Sequence, residues 1–327
     1  MQKMSETLTT IQAPIAEELV YFDKYFKSAM RSDVALLDKV MSYLLKRKGK
    51  QMRPMLVLLS AQVCGGITPA TYRGAALAEL LHTATLIHDD VVDESDERRG
   101  FFSINALWKN KIAVLAGDFL FSRGFLMALE HDDYNALKIM SKAVKMMSEG
   151  ELLQTEKARM LNIDEAIYLD IIRAKTASLF ASCCETGAAS ATEDAEKIEK
   201  MREFGEFVGI AFQIKDDLFD YGTDDVGKPR AIDIQEKKLT LPLIHILNKA
   251  SWGERRKLIN IVKRHNTQKD KVQYLIDYVY DNGGISYSKE VMNQYVARAL
   301  ETLDFFEDTP AKTSLISLVN FAISRKK

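Results

Sequence analysis

Apolar residues return every third or fourth position along most of this chain, the period of an amphipathic helix. Residues 12–47 read as two such helices, broken near Arg31–Ser32–Asp33, where Ser32 or Asp33 is placed to cap the second. Lys48 to Pro54 is a basic turn, followed by an apolar helix from Met55 to about Val63 that ends at Cys64–Gly65–Gly66. Thr68–Pro69 is a start signal, because proline fits the first turn of a helix. The helix it opens runs to Asp93 with one internal glycine, about 34 Å at a rise of ~1.5 Å per residue. Further helices fit 104–130, 134–158, 164–190, 193–221, 238–250, 253–265, 268–281, 284–304 and 310–325. No stretch alternates as a strand, and no Gly/Ser-rich linker or change of composition divides the chain. The expectation is an all-α fold in a single domain over 1–327. The longest irregular stretch, Tyr221–Asp233, reads as a functional loop.

Composition agrees with that pattern. Among 327 residues, 47% are hydrophobic, and 16 Gly and 6 Pro are too few for a turn-rich β architecture. A net charge of -1 gives no global attraction to nucleic acid or to an anionic membrane, so an anionic substrate needs local clusters. Cys64, Cys183 and Cys184 form neither a disulfide framework nor a zinc spacing, and read as small core residues in a reducing compartment. The N-terminus lacks the basic start and apolar run of a secretory signal. No window approaches ~18 uncharged apolar residues, and a cytoplasmic protein without a membrane span is expected.

Two acidic runs share one form. Asp89-Asp90-Val91-Val92-Asp93 and Asp216-Asp217-Leu218-Phe219-Asp220 are both D-D-x-x-D, each at the C-terminal end of an apolar helix. Residues i and i+4 lie on one helical face, so Asp89 and Asp93 point together, as do Asp216 and Asp220. Like charges at that spacing, at the negative end of the helix dipole, destabilise a helix unless cations answer them. One such run reads equally well as a solvated acidic helix end; two copies after two apolar helices do not. Hard oxygen ligands suit Mg2+, which takes a few carboxylates together with phosphate oxygens and water.

Basic residues stand where phosphates would need them. Lys50 and Arg53 lie in the turn before Pro54, and Arg98–Arg99 follow the first acidic run. Lys175–Thr176 interrupt an apolar helix, and Lys228 and Lys238 flank the irregular loop. Singly, each reads as a surface charge; together they supply fork and point-charge contacts to a diphosphate.

In this order the motifs resemble the trans-isoprenyl diphosphate synthase family, also called polyprenyl synthetases, across nearly the whole chain. The resemblance rests on GKQMRP at 49–54, ELLHTATLIHDDVVDESDERRG at 79–100, GDFLFSR at 117–123 and GELLQ at 150–154. KTASLF at 175–180, FQIKDDLFD at 212–220 and GK…DIQEKKLTLP at 227–242 complete it. It implies a single large antiparallel helical bundle around a central cavity, and a homodimer. Asp89, Asp90, Asp93, Asp216, Asp217 and Asp220 then match metal-binding positions holding three Mg2+ against an allylic diphosphate, with Asp89, Asp93 and Asp216 as direct ligands. Lys50, Arg53, His82 and Arg99 match an isopentenyl diphosphate pocket. Arg98, Lys175, Gln213, Lys228 and Lys238 match contacts to the allylic diphosphate, and Thr176 and Gln213 match groups that stabilise a carbocation. Gln51 stands where the family usually has a basic residue, and Lys237 replaces a common glycine.

The resemblance implies condensation of isopentenyl diphosphate with an allylic diphosphate. Arg98, Lys175 and Lys238 share the leaving-group charge with the metal, and transient membrane contact serves product release. Counting back from Asp89 along one helical face reaches Thr85, Leu81 and Ala78, at depths of ~6, ~12 and ~16 Å. Relatives that stop early carry aromatic side chains at the positions of Ala84 and Thr85; both are small here. A long all-trans product is expected, with eight isoprene units as the central value. The alternatives are a short-chain geranylgeranyl or farnesyl diphosphate synthase, and a non-catalytic subunit of a heteromeric synthase.

Overall fold

The structure, a computed structural model, describes residues 8–46, 49–98, 100–160, 163–222 and 231–324. It is all-α. In chain order the helices are α1 Ala16–Ala29, α2 Ala35–Leu45, α3 Met52–Cys64, α4 Pro69–Val92, α5 Ile104–Leu129 and α6 Tyr134–Met160. Then come α7 Glu165–Ile172, a π-helical turn Arg173–Ala177, α8 Ser178–Ala189, α9 Ala195–Phe219 and the short α10 Ile232–Gln235. The last five are α11 Leu241–Lys249, α12 Trp252–Arg264, α13 Lys269–Asp281, α14 Gly284–Leu303 and α15 Pro310–Ser324. Between α4 and α5 lies a two-residue hairpin, Glu97–Arg98 paired antiparallel with Phe101–Phe102.

Local chemistry sets most boundaries. Thr68 and Thr71 form a reciprocal capping box at the start of α4, with Pro69 in the first turn. Ser103, Asp164 and Ser251 each accept a backbone N–H three residues on, satisfying donors that α5, α7 and α12 leave open. At α2 the expectation fails: the N-cap is Val34 with no side-chain cap bond, because Ser32 Oγ is spent on the Val34 N–H one step too early. Helix α5 is interrupted at Lys109, whose φ of 71° and ψ of 160° are not helical.

The chain divides into two compact units, each assembled from three segments. One comprises Met1–Val144, Ser182–Arg202 and Phe306–Leu315; the other comprises Lys145–Ala181, Glu203–Phe305 and Ile316–Lys327. In the first, α3 is buried from Pro54 to Ala61, and α4 buries Leu77, Ala78, Leu80, Leu81 and Ala84. Helix α5 packs on α4 through its small residues. A Cβ on Gly117 would lie 2.2 Å from His88 Nε2, so any larger residue there would displace the His88 ring. By length and composition α5 could cross a membrane, although no 18-residue window of it is free of charge, Asp118 lying in every one. Its Ala113, Ala116, Leu120 and Gly124 are buried, as in the core helix of a globular unit.

In the second unit the ring of Phe180 meets that of Phe212 at 5.0 Å, and the buried Tyr221 hydroxyl shares a 2.9 Å hydrogen bond with Thr240. Lys237, where the resembling family commonly has glycine, adopts φ 60°. For a residue with a Cβ the left-handed region costs roughly 1–2 kcal/mol. Glycine gives back about 0.4–1 kcal/mol through the unfolded chain. Lys237→Gly is therefore expected to raise stability by about 0.5–1 kcal/mol, read from urea midpoints at unchanged slope; a loss of stability would show that the lysine side chain earns its conformation by a contact.

Candidate active site

Each acidic run sits at the end of a helix whose upstream turns are apolar. In α4, Asp90 is 5% exposed, Asp89 is half-buried and Asp93 is exposed. Asp93 closes the helix, its N–H bonding the Asp89 carbonyl at 2.8 Å, and the Ser95 N–H reaches the Asp90 carbonyl at 2.9 Å. The helix thus runs to Val92 with Asp93 as its cap, one helical hydrogen bond from Asp89.

In the same unit Arg53, in the first turn of α3, forks onto Glu79 of α4: Nε donates to Oε2 at 2.9 Å and Nη2 to Oε1 at 3.4 Å. The pair is largely removed from solvent, with side chains 17% and 19% exposed. Lys50 and His82 are half-buried. Thr85 is half-buried and donates to the His82 carbonyl at 2.8 Å, whereas Ala78, Leu81 and Ala84 are core residues. Arg98 is described by its backbone alone, and Arg99 and Lys228 lie outside the described residues, as does most of the irregular loop at 223–230.

The second acidic run, at the end of α9, belongs to a hydrogen-bonded chain within its own unit. Thr176 Oγ1 donates to Gln213 Oε1 at 2.7 Å, Gln213 Nε2 donates to Asp217 Oδ1 at 2.8 Å, and the Tyr168 hydroxyl donates to Asp217 Oδ2 at 2.6 Å. Thr176 and Lys175 lie in the π-helical turn, a form common at functional sites because its extra residue re-aims side chains. Gly150 of α6 makes room for it, since a Cβ there would lie 3.0 Å from the Lys175 backbone nitrogen. Lys175 Nζ pairs with Glu151 and reaches Gln154 Oε1 at 3.4 Å. Asp220 takes the N–H groups of Ile232 at 2.8 Å and Asp233 at 3.2 Å, one on each oxygen, so it anchors the start of α10.

The electrostatics follow from which donors arrive. Burial first, then the field of Asp233, lifts Asp217 to about 8, although Tyr168 and Gln213 pull the other way. Burial and Asp233 likewise lift Asp220 to about 7 against its backbone donors. Tyr168, fully buried beside a carboxylate, is pushed far above the usual phenol range. Burial works against the charge on Lys238, but its bond to Glu236 and the fields of Asp233 and Glu151 hold it above the ordinary lysine value.

Among the described residues no three His, Cys, Asp or Glu side chains form a ready metal cage. Mg2+ does not require one: it is commonly held by one or two carboxylates, with waters and substrate phosphates completing the octahedron. The donor set here is oxygen only, and Asp217 stands where a nearby cation would relieve a desolvated charge. On donor chemistry the residues fit the ion.

The structure brings Thr176, Gln213 and Asp217 into one network and ties Lys175 and Lys238 to carboxylates. Sequence reasoning did not single out Tyr168, Glu79 or Glu151. Glu79 and Glu151 stand inside quoted motifs and were legible there as partners for the nearby cations. Tyr168 carries no signal, being one aromatic among apolar residues of a short helix.

A family profile described as polyprenyl synthetase matches residues 34–279. The chain is 38% identical over 320 residues to the all-trans-nonaprenyl-diphosphate synthase (geranyl-diphosphate specific) of Rhodobacter capsulatus, covering 96% of this chain and 97% of that one. Its structure is similar to a polyprenyl synthase from Caulobacter crescentus complexed with calcium and isoprenyl diphosphate, at TM-score 0.89 and 33% identity over 98% of both chains. It is also similar to a geranylgeranyl pyrophosphate synthase from Bacteroides thetaiotaomicron, at TM-score 0.83 and 38% identity over 98% and 100% of the two chains.

The raised carboxyls give a pH signature. Below about pH 4 the folded and unfolded chains both hold these protons. Above about pH 4 the folded chain keeps protons that the unfolded chain has released, on Asp220 up to about 7 and on Asp217 up to about 8, so stability falls as pH rises, then levels off. In a metal-chelating buffer Asp217→Asn is expected to remove about half of that slope below pH 7 and all of it between about 7 and 8 in urea titrations. Tyr168→Phe, which withdraws a donor from a buried carboxylate, is expected to cost about 1–3 kcal/mol above pH 8. An unchanged slope in Asp217→Asn would place the titration elsewhere.

Proposed function

The chain belongs to the polyprenyl synthetase family and is a prenyl diphosphate synthase; from that premise we propose that it adds isopentenyl diphosphate repeatedly to an allylic diphosphate, with Mg2+, to make a long all-trans polyprenyl diphosphate. The observation that carries this reading is the buried acidic end of α9. Its Asp217 is reached by the neutral donors Tyr168 and Gln213, and burial lifts it to about 8, so a cation brought from outside the chain would favour its ionised form. In this reading Asp89, Asp90, Asp93, Asp216, Asp217 and Asp220 hold three Mg2+, with Asp89, Asp93 and Asp216 in direct contact. Asp217 and Asp220 keep the helix end in position through their protein donors.

Bound Mg2+ supplies neutralisation of the diphosphate as the allylic carbon–oxygen bond breaks. Lys175 and Lys238 add fixed positive charge on the leaving group. Each already has a carboxylate partner, Glu151 and Glu236 respectively. Thr176 and Gln213 offer neutral dipoles, which suit an allylic cation better than a carboxylate that would capture it. Lys50, Arg53, His82 and Arg99 hold isopentenyl diphosphate for attack through its double bond. Arg98 and Lys228 join the allylic diphosphate contacts. No side chain is assigned as general base, so the departed diphosphate accepts the proton.

Small residues at Ala84 and Thr85 support a long product, and the nonaprenyl-forming relative points the same way. Eight isoprene units are the proposed length; the short-chain reading differs only in where elongation stops. The buried thiols Cys64 and Cys184, pushed up to about 12 by desolvation, fit a reducing, cytoplasmic setting. The exposed face of α5, with Leu107, Val114, Leu115, Leu126 and Leu129 each more than 40% exposed, is the proposed homodimer surface.

Purified protein given Mg2+, farnesyl diphosphate and excess isopentenyl diphosphate should yield mainly an eight-unit product by reverse-phase chromatography, and nothing in chelator. Asp216→Asn should lower turnover about 10²–10³-fold, and Ala84→Phe should shorten the product. Arrest of the wild type at four units would establish the short-chain alternative, and unchanged length in Ala84→Phe would remove α4 as the ruler. Light scattering should give a dimer for the wild type and a monomer for Leu115→Glu; a wild-type monomer leaves the α5 face without that role.

A further inference from the structure

Outside the catalytic residues, the segment Lys249–Lys271 concentrates charge. It holds eight Lys and Arg against two acidic residues in a chain whose net charge is -1. Helix α12 turns Leu258, Ile261 and Val262 into its unit and presents Arg256, Lys257, Lys263 and Arg264 to solvent. Its one acidic side chain, Glu254, has its Oε2 buried and is absent from that outer face. The outer face is therefore cationic along about 18 Å of helix.

At its N-terminal end stands Trp252, 77% exposed, with the Arg256 guanidinium 5.4 Å from its ring centre. At a lipid interface tryptophan settles at headgroup depth with its ring in the acyl boundary and its N–H in the polar layer. Arginine and lysine beside it meet the anionic headgroups. The opposite end of α12 is fixed to the catalytic segment of its own unit, because Asn266 donates to the carbonyl of Gln235, three residues before Lys238.

We propose that the outer face of α12, with Trp252 as anchor and Arg256, Lys257, Lys263 and Arg264 as the charged ring, docks this protein reversibly on an anionic bilayer surface. Electrostatics supply most of the attraction and the single indole adds a shallow insertion. The proposal takes from the proposed function only that the product is a lipid with a diphosphate head, which needs a bilayer to enter; the docking itself requires no substrate.

The test is co-sedimentation of the full-length protein, without substrate, on vesicles of phosphatidylcholine alone and of phosphatidylcholine mixed with phosphatidylserine. One basic residue near an anionic leaflet is worth about fivefold in partitioning. The wild type should therefore bind the mixed vesicles at least about tenfold better than the neutral ones and lose that preference in high salt. Arg256→Glu with Lys263→Glu should abolish it. Trp252→Ala should weaken binding severalfold while leaving the salt dependence in place, and circular dichroism should show all variants folded. Three outcomes overturn the proposal: no preference for the mixed vesicles in the wild type, full binding by the double variant, or loss on deleting residues 325–327 with α12 intact. Binding of the wild type to a single-stranded oligonucleotide but not to vesicles would assign the face to polyanions and also overturn it. Turnover in detergent, measured separately, should be equal in all variants. Its absence throughout would refute the proposed function without touching the vesicle result.

Discussion

Carboxylates brought out of water at the C-terminal end of a helix are opposed three times over: by desolvation, by one another and by the helix dipole. The structure answers part of that opposition with neutral donors. Tyr168 and Gln213 reach Asp217, and the Ile232 and Asp233 N–H groups reach Asp220. These bonds orient the acids, and on the proposed reading a divalent ion would offset the desolvation that remains. Orientation would then be built into the polypeptide while neutralisation is left to a ligand.

The basic residues obey the complementary rule. Arg53, Lys175 and Lys238 are each held by a neighbouring glutamate, Glu79, Glu151 and Glu236. Such pairs contribute little net stability, because desolvation offsets most of the attraction. What they supply is restraint, since long side chains that would otherwise sample many rotamers are held to a partner. On the proposed reading, an incoming diphosphate would compete with one carboxylate for each of these cations.

Much of this could be read before any coordinates. Helix positions followed from apolar periodicity, and boundaries such as Thr68–Pro69 followed from capping chemistry that acts over three residues. The paired D-D-x-x-D runs identified themselves because a repeated local cost signals a compensating partner. What could not be read depends on neighbours distant in sequence or on backbone geometry. Tyr168 donates across 49 positions. The cap of α2 moved because Ser32 satisfied a nearer N–H. The π-helical turn at Arg173–Ala177 leaves the apolar pattern of the surrounding helix nearly undisturbed.

That turn has a bearing on descent. A π-helical turn is an α-helix with one residue to spare, and the surplus rotates everything beyond it by about 100° relative to an uninterrupted helix. A lineage that lost a single codon between Arg173 and Ala177 would keep a sound, even more regular, helix from Glu165 to Ala189. Lys175 and Thr176 would no longer share their present aim with respect to Gln213. Single-residue gaps are usually shed as harmless noise when sequences are stacked; at this place such a gap would mark a change of trade.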